Sequence, residues 1–361
     1  MPTRTNRNTP RNTQPTTWES RLRGLMLGLA LGDAIGSRRS DIPITGMLKA
    51  GAATQLAAWT AEGLLRTATR YGGNVVSNPT DVLTHAYQRW ALLQGARPTT
   101  AEWYPIDGVG DLSARGWLID IPAMTEVRGS SPATMKAIMR GRPASSGGCQ
   151  ALLRSLPIAA FLRDAPIAAL DDFARAAAGI THDDGLRNAS TGFAVRLAAA
   201  CLQSDSFQRA FDTTIGESVP DGVDRLVERL IDEGMAQPCV PQLLERLAPD
   251  KTASSALAGG IYVALSFPDL DTIDEALEFA GWAPDGDSVA AVAGALLGAI
   301  HGCEALPTPL CARLELGWVM DTLARDLARQ TTDNQTGDGW KGDGLGPDPI
   351  DPWWDTKYPG V

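Results

Sequence analysis

Two carboxylates and a hydroxyl lie within four residues of one another late in the chain, at Asp285, Asp287 and Ser288. Oxygen donors of this kind are the ligands that Mg²⁺ and Ca²⁺ prefer. They precede a run of small and apolar residues, 289–300, that is typical of a buried helix. A capping role is the alternative, because the unpaired N–H groups and partial positive charge at a helix start favour Asp and Ser. These residues alone leave both interpretations open.

A glycine turn, SSGGC at 145–149, is the second candidate site. Successive backbone N–H groups in such a turn can form an anion-binding hollow without any charged side chain. A tight turn before a helix is the alternative. Cys149 lies near the predicted helix start, where the pKa of a thiol can fall. We do not expect it to be a nucleophile, because nothing in the sequence places a base beside it.

The composition excludes several classes of protein. The 361 residues are 44% hydrophobic, which is enough for a sizeable core. A net charge of −10 argues against nucleic acid as the main partner. The five cysteines are scattered and include no C-x-x-C pair, as in reduced cytoplasmic proteins without a zinc site. Neither an export signal nor a membrane span is evident, so we expect a cytoplasmic protein with no membrane partner.

The elements that must position these residues are predicted to be helices. Apolar residues recur at helical spacing from 18 to 330, and convincing alternating strands are absent. We therefore predict one compact all-α domain over 18–330, after a disordered arm (1–17) and before an irregular tail (331–361) that Trp353, Trp354 and Tyr358 attach to the surface. Clusters of Pro, Gly and Asp predict loops at 71–80, 98–114, 127–148 and 214–222.

The first predicted helix carries four glycines spaced four apart, at Gly24, Gly28, Gly32 and Gly36. Each glycine weakens a helix by about 1 kcal/mol, so a stripe of them needs a reason. We expect another helix or a ligand to approach that face closely. Asp33 lies inside the stripe and is predicted to be a buried scaffold residue, paired with an arginine or with backbone N–H groups.

Several stretches together resemble the ADP-ribosylglycohydrolase family, which includes the dinitrogenase reductase-activating glycohydrolases. They occur in the family's order, and the match covers most of residues 20 to 310. They are GLALGDAIG (28–36), TQLAAWTAEGLLR (54–66), SSGGCQALLRSLPIA (145–159), ITHDD (180–184), GDSVAAVAGALLGAIHG (286–302) and the closing KYPGV.

This resemblance implies an all-helical domain that binds two Mg²⁺ ions in a central cleft and hydrolyses the bond between ADP-ribose and a modified side chain. It implies that Asp285, Asp287 and Ser288 are metal ligands, which favours the metal interpretation over capping. It also implies that His182 borders the adenosine side of the cleft. The residues that it implies to line the ADP-ribose pocket are Ser146, Gly147, Gly148 and Cys149.

The departures from the family pattern matter as much as the matches. The family's T-D-D run, which supplies the remaining metal ligands, falls on Gly51, Ala52 and Ala53, none of which has a side-chain oxygen. The family's acid after the first helix falls on Ser40, and the adjacent Asp41 is the candidate catalytic replacement. Because two close Mg²⁺ ions need several carboxylates, we expect one weakly bound Mg²⁺ or none.

Three functions follow from these residues. The first is a protein that binds ADP-ribose or a related nucleotide with weak or no hydrolysis, a pseudoenzyme of the family. The second is an active hydrolase of ADP-ribosyl N- or O-glycosidic bonds that uses one metal. The third is a structural or interaction scaffold. We rank them in that order. The expected partner is ADP-ribose or an ADP-ribosylated substrate, and the sequence does not specify an oligomeric state.

Overall fold

A computed structural model describes residues 16–36, 45–71, 79–96, 116–129, 131–161, 163–335 and 351–359. These residues are mostly helical, and β pairing among them is limited to three isolated bridges. The all-α prediction is therefore confirmed. Across these ranges, no helix combines the length and the apolar character needed to cross a membrane. The candidate catalytic residue Asp41 lies outside the described residues, as does most of the arm 1–17.

The α-helices of the described residues are α1 (Trp18–Ile35), α2 (Ala52–Tyr71), α3 (Pro79–Leu93), α4 (Pro122–Thr125), α5 (Pro132–Arg140), α6 (Gln150–Ser155), α7 (Ile158–Phe161), α8 (Ile167–Gly179), α9 (Gly185–Gln203), α10 (Phe207–Glu217), α11 (Asp224–Arg229), α12 (Pro241–Leu247), α13 (Ala253–Ser266), α14 (Ile273–Ala280), α15 (Gly286–His301), α16 (Thr308–Cys311), α17 (Gly317–Asp333) and α18 (Trp354–Lys357). Short 3₁₀ segments cover Trp117–Asp120 and Cys303–Ala305, and a π-helical turn covers Leu230–Gly234.

Three local predictions were wrong. Helix α5 lies inside the loop predicted at 127–148; it begins with Pro132 in its first turn and ends at Gly141 in the left-handed conformation. The stretch 149–164, whose apolar residues recur at helical spacing, does not form one helix but breaks into α6 and α7 at Pro157, which has no N–H to donate. The predicted irregular tail contains α18, where Trp354 and Tyr358 are buried.

The tail attaches to the domain through α17. Tyr358 donates a hydrogen bond to Oδ2 of Asp326 at 2.6 Å, and Lys357 forms an ion pair with the same carboxylate. Trp353 remains largely exposed. Two of the three aromatic residues predicted to attach the tail, Trp354 and Tyr358, therefore do so.

Helices α1 and α15 form a seam of glycines at the centre of the domain. A Cβ added at Gly24 or Gly28 would overlap the carbonyl oxygen of Gly298 or Gly294, and one added at Gly298 would overlap Gly24. Backbones this close have no space for side chains, so the stripe on α1 serves the approach of another helix, as predicted. The seam also brings the C-terminal end of α1 beside the first turn of α15, because Gly36 meets Gly286 and Asp287.

A buried ion cluster links α2 to α3. The carboxylate of Glu62 binds Nε of Arg66 through one oxygen and Nη2 of Arg89 through the other, the latter at 2.7 Å. Arg89 also lies 5.2 Å above the ring of Trp59. Burial lowers the pKa of Arg89 to about 10, an effect that Glu62 opposes. Glu62 therefore compensates part of the positive charge of the two arginines within the core.

Candidate functional site

A cavity of about 390 Å³ opens where α1, α2, α5, α6 and α15 converge. This volume lies within the roughly 300–1,000 Å³ of small-molecule pockets. Most of the residues implied by the resemblance meet here, together with several that sequence reasoning missed. The cavity is lined by Asp33, Gly51, Ala52, Arg128, Gly129, Ser131, Pro132, Ala133, Thr134, Ser146, Gly148, Cys149, Gln150, His182, Lys251, Asp285, Asp287 and Ser288.

Asp285 occupies the N-cap position of α15, yet its side chain accepts no hydrogen bond from the helix. Its carboxylate instead lies 3.7 Å from the thiol of Cys149 and 3.7 Å from Nζ of Lys251. Lys251 is 83% exposed, so this ion pair is well solvated and weak. Capping therefore does not explain why an acid faces the cavity at this position.

Asp287 lies in the first turn of α15, where its Oδ1 accepts a hydrogen bond from the backbone N–H of Ser288 at 3.0 Å. Burial, together with the nearby carboxylates of Asp285 and Asp33, raises the pKa of Asp287 to about 6. A carboxyl group with such a pKa changes its protonation state close to neutral pH, which is the range useful for general acid or base catalysis.

Cys149 is buried against the start of α15. Its Sγ lies 3.0 Å from Oγ of Ser288. Burial raises the pKa of the thiol to about 12, and the carboxylates of Asp285 and Asp287 act in the same direction. The pKa is thus raised, whereas the sequence suggested that a helix start could lower it. A neutral, buried thiol is a poor nucleophile, as expected from the missing base.

The glycine turn is held against the segment that precedes α13. The N–H of Cys149 donates to the carbonyl of Lys251 at 3.2 Å, and the carbonyl of Gly147 accepts from Ala253 at 3.0 Å. The N–H of Gly148 donates to Oγ of Ser146 at 3.3 Å. Two of the N–H groups expected to form an anion-binding hollow are therefore engaged within the protein. Of the predicted turn residues, Ser146, Gly148 and Cys149 line the cavity, while Gly147 lies behind them.

His182 lines the cavity beside Gly148 and is almost completely buried. Its Nδ1 lies 2.8 Å from Oγ1 of Thr181. Burial, reinforced by the positive charge of Arg154, lowers the pKa of His182 to about 3. The imidazole is consequently neutral at physiological pH and can offer a hydrogen bond but no charge.

Another part of the cavity wall is formed by the end of α1 and the start of α2. Oδ2 of Asp33 accepts hydrogen bonds from the N–H groups of Gly51 and Thr54 and from the hydroxyl of Thr54, at 2.7, 3.1 and 2.6 Å. Burial nevertheless raises the pKa of Asp33. The predicted pairing with backbone N–H groups is present, and Asp33 also faces the cavity.

Gly51 and Ala52 complete this wall without any side-chain oxygen. A Cβ at Gly51 would lie 2.7 Å from Oδ1 of Asp33, so the position has no space for a larger residue while Asp33 keeps its place. Ala52 directs only a methyl group to the cavity, and Ala53 is buried in the core. The start of α2 and the aspartates of α15 thus line the same cavity.

Comparison with known proteins decides the family. A model of the ADP-ribosylglycohydrolase family matches residues 14–337. The chain belongs to this family. A solved structure named ADP-ribosylglycohydrolase-related protein complex is 21% identical, with a TM-score of 0.60 over 87% of this chain and 99% of that chain, which supports the shared fold. The comparison with curated proteins gives no match.

The described residues do not fit the pair of Mg²⁺ ions that the family resemblance implies. Among them, no group of three or more His, Cys, Asp or Glu side chains is arranged to hold a metal ion. Asp33 has one oxygen committed to three donors, and the hydroxyl of Ser288 is engaged with Cys149. Gly51 and Ala52, at the start of α2, contribute no side-chain oxygen to the cavity. Asp285 and Asp287 remain as the strongest oxygen ligands, enough for one weakly held ion at most.

Sequence reasoning missed the part of the cavity wall that is formed by the first turn of α5 and the residues just before it. Nη2 of Arg128 binds Glu126 at 2.7 Å and Glu315 at 2.8 Å, which fixes the arginine at the cavity. Oγ of Ser131 and Oε1 of Gln150 are buried without a hydrogen-bond partner. The Ser-Pro pair at 131–132, a common helix start, was the signal that could have revealed this helix.

Proposed function

We propose that this member of the family binds ADP-ribose or a related nucleotide in the cavity between α1, α2, α6 and α15, and hydrolyses it weakly or not at all. The observation that carries the proposal is the asymmetry of the cavity. The start of α15 offers Asp285, Asp287 and Ser288, whereas the start of α2 offers Gly51 and Ala52. The family acts on ADP-ribosylated substrates, and the resemblance implies that two Mg²⁺ ions would need side-chain ligands from both places.

Unpartnered polar atoms support a binding role for the cavity. Buried polar groups are nearly always hydrogen-bonded, yet the hydroxyl of Ser131 and the amide oxygen of Gln150 are not. Both residues line the cavity. Hydroxyl and amino groups of a nucleotide would satisfy these atoms, and the neutral ring of His182 adds a further hydrogen-bonding group. Binding of this kind needs no metal.

Calorimetric titration with ADP-ribose, with and without Mg²⁺, tests the proposal. We expect binding whose affinity changes less than about threefold when Mg²⁺ is added, since few ligands remain for the ion. Release of free ADP-ribose from an ADP-ribosylated protein should stay at background. The absence of any binding heat with ADP-ribose, NAD or AMP would refute the proposal.

Two glycine variants provide the matched control. A leucine at Gly148 would extend into the cavity past Ser146 and His182, and Gly148→Leu should abolish binding of ADP-ribose. Gly216 lies on α10, and a Cβ there meets nothing within 4 Å, so Gly216→Leu should bind like the wild type. Equal loss in both variants would indicate a general effect on folding rather than a blocked site.

The second candidate function is hydrolysis with one metal. The raised pKa of Asp287, about 6, favours it, because this carboxyl could exchange a proton near neutral pH. In that case Mg²⁺ or Mn²⁺ would stimulate the release of ADP-ribose, and Asp287→Asn would eliminate the stimulation. Stimulation that survives this substitution would exclude a role for Asp287.

A further inference from the structure

A second and larger cavity, of about 590 Å³, lies between the start of α1 and helices α8, α9 and α10. It shares no lining residue with the candidate functional site. Four arginines and three acidic residues contribute to its walls, on a chain whose net charge is −10. The side chains that line the cavity therefore carry a net positive charge, on a protein that is acidic as a whole. The arginines are Arg21, Arg163, Arg196 and Arg209.

Three of these arginines have an acidic partner within the cavity walls. Arg209 forms an ion pair with Asp205. Nη2 of Arg196 lies 3.5 Å from Oε2 of Glu217, and Nε of Arg163 lies 4.0 Å from Oδ1 of Asp164. These pairs balance each other's charge. They leave the fourth arginine as the excess charge of the cavity.

That fourth residue, Arg21, is held by carbonyl groups. Its Nη1 donates to the carbonyl oxygens of Cys201 at 3.2 Å, Ala299 at 3.3 Å and Ser204. Carbonyl dipoles fix the guanidinium in place but do not neutralise it. Burial lowers the pKa of Arg21, and the negative charge of Asp205 acts in the opposite direction. Because Asp205 is already ion-paired with Arg209, an anion bound nearby would supply the remaining negative charge.

The rest of the wall combines a fixed guanidinium with apolar surface. The side chain of Arg196 is only 3% exposed and is anchored to the carbonyls of Thr214 and Ser218, while its Nε has no hydrogen-bond partner. The guanidinium of Arg163 stacks 4.5 Å above the ring of Trp18. Apolar side chains complete the cavity, namely Ala165, Ile167, Leu170, Ala199, Ala200 and Ala210.

We propose that this arginine cavity is a second ligand site, which binds a small organic anion through Arg21 and Arg163 and packs the apolar part of that ligand against α8 and α9. The shared chemistry is a carboxylate or phosphate group on an apolar body. The volume lies within the range of small-molecule pockets. The proposal does not depend on nucleotide binding at the candidate functional site.

Titration of the full chain with phenyl phosphate, phenylacetate and benzyl alcohol tests this proposal. At least one of the two anions should bind, and the one that binds more tightly identifies the preferred group. The neutral alcohol should bind at least tenfold more weakly. Failure of both anions to bind at millimolar concentration would overturn the proposal, as would equal binding of the alcohol.

Three variants locate the binding. Arg163→Gln removes a half-exposed cation from the cavity and should weaken anion binding at least tenfold. Ala200→Trp should fill the cavity and abolish binding. Arg229→Gln is the matched control, because Arg229 is similarly exposed (46% against 40%) and also pairs with a nearby acid, Glu233. Anion binding that survives both cavity variants, or that falls equally in Arg229→Gln, would place the anion elsewhere and overturn the proposal.

Discussion

Two groups of carboxylates in this protein, one buried in the core and one partly buried at the cavity, differ in how their charge is balanced. Glu62, in the core between α2 and α3, binds the guanidinium groups of Arg66 and Arg89. Asp33 and Asp287, at the cavity, have no ion pair with the described residues. A buried charge without a partner is costly unless something else compensates for it. Arginines therefore compensate the carboxylate in the core. The acids at the cavity are left to be compensated by a proton, an ion or a ligand.

The cavity receives its acids from two helices. The helical framework places acids from α1 and α15 around one space, because the glycine seam holds the two helices in contact. Gly51 and Ala52, which line the cavity at the start of α2, have no side-chain oxygen. The carboxylate in the core has two arginine partners, whereas Asp33 and Asp287 have hydrogen bonds only.

Removing the compensated acid should have the largest effect on stability. Glu62→Gln removes the carboxylate that binds Arg66 and Arg89 in the core, and we expect a loss of about 3–5 kcal/mol in the free energy of unfolding. Urea denaturation measures this loss. Glu233 is the matched control, because it also contacts two arginines, Arg229 and Arg246, but is 38% exposed. Glu233→Gln should cost less than about 1 kcal/mol, and equal losses in the two variants would contradict the account.

Breaking the seam should have the next largest effect. Gly28→Ala forces a methyl group against the carbonyl of Gly294, and we expect a loss of about 2–3 kcal/mol in the free energy of unfolding. Gly216→Ala on α10 has open space and should be neutral or stabilising by up to about 1 kcal/mol. Chemical denaturation of both variants checks the difference. A neutral Gly28→Ala would show that the helices are not in close contact.

Removing an uncompensated acid should stabilise the protein. The folded-state pKa of Asp287, about 6, lies above its ordinary value of 3.8. The folded state therefore holds this proton more tightly, and the associated stability is present below about pH 4 and lost as pH rises through 6. Asp287→Asn should raise the free energy of unfolding by about 1–2 kcal/mol at pH 7.5 and have little effect near pH 4.

Asp274 is the matched control for this substitution. It lies in the first turn of α14, is exposed, and accepts the N–H of the next residue at 3.0 Å, as Asp287 does. Asp274→Asn should change stability by only a few tenths of a kcal/mol at either pH. Denaturation curves at pH 4 and 7.5 compare the two variants. Destabilisation by Asp287→Asn at pH 7.5 would show that the carboxylate is compensated after all.

The smallest expected effect concerns the rate at which the thiol of Cys149 is alkylated. Because burial raises the pKa of this thiol to about 12, iodoacetamide at pH 8 should modify it far more slowly than the exposed Cys239 in the native protein. Mass spectrometry after timed labelling measures both rates, and labelling in urea should make them similar. Rapid native modification of Cys149 would contradict the buried, neutral thiol described for the site.

The sequence predicted those features that depend on spacing. Four glycines one turn apart revealed the seam, and Asp33 within them was correctly expected to pair with backbone N–H groups, although it lines the cavity and is only partly buried. The raised pKa of Cys149 was not predictable, because it comes mainly from burial by packed helices and then from carboxylates that lie 136 and more residues away in the chain. The arginine cavity was also hidden, since Arg21, Arg163 and Arg196 become neighbours only through packing of separate helices.

Calorimetry of Mg²⁺ binding to the wild type and to Ala52→Asp is the decisive test, because Ala52 lines the same cavity as Asp285 and Asp287. We predict that the wild type binds Mg²⁺ only in the millimolar range or not at all, and that the added carboxylate tightens binding at least tenfold. Micromolar binding by the wild type, with no gain in Ala52→Asp, would show that the cavity already holds a complete metal site and would contradict the account.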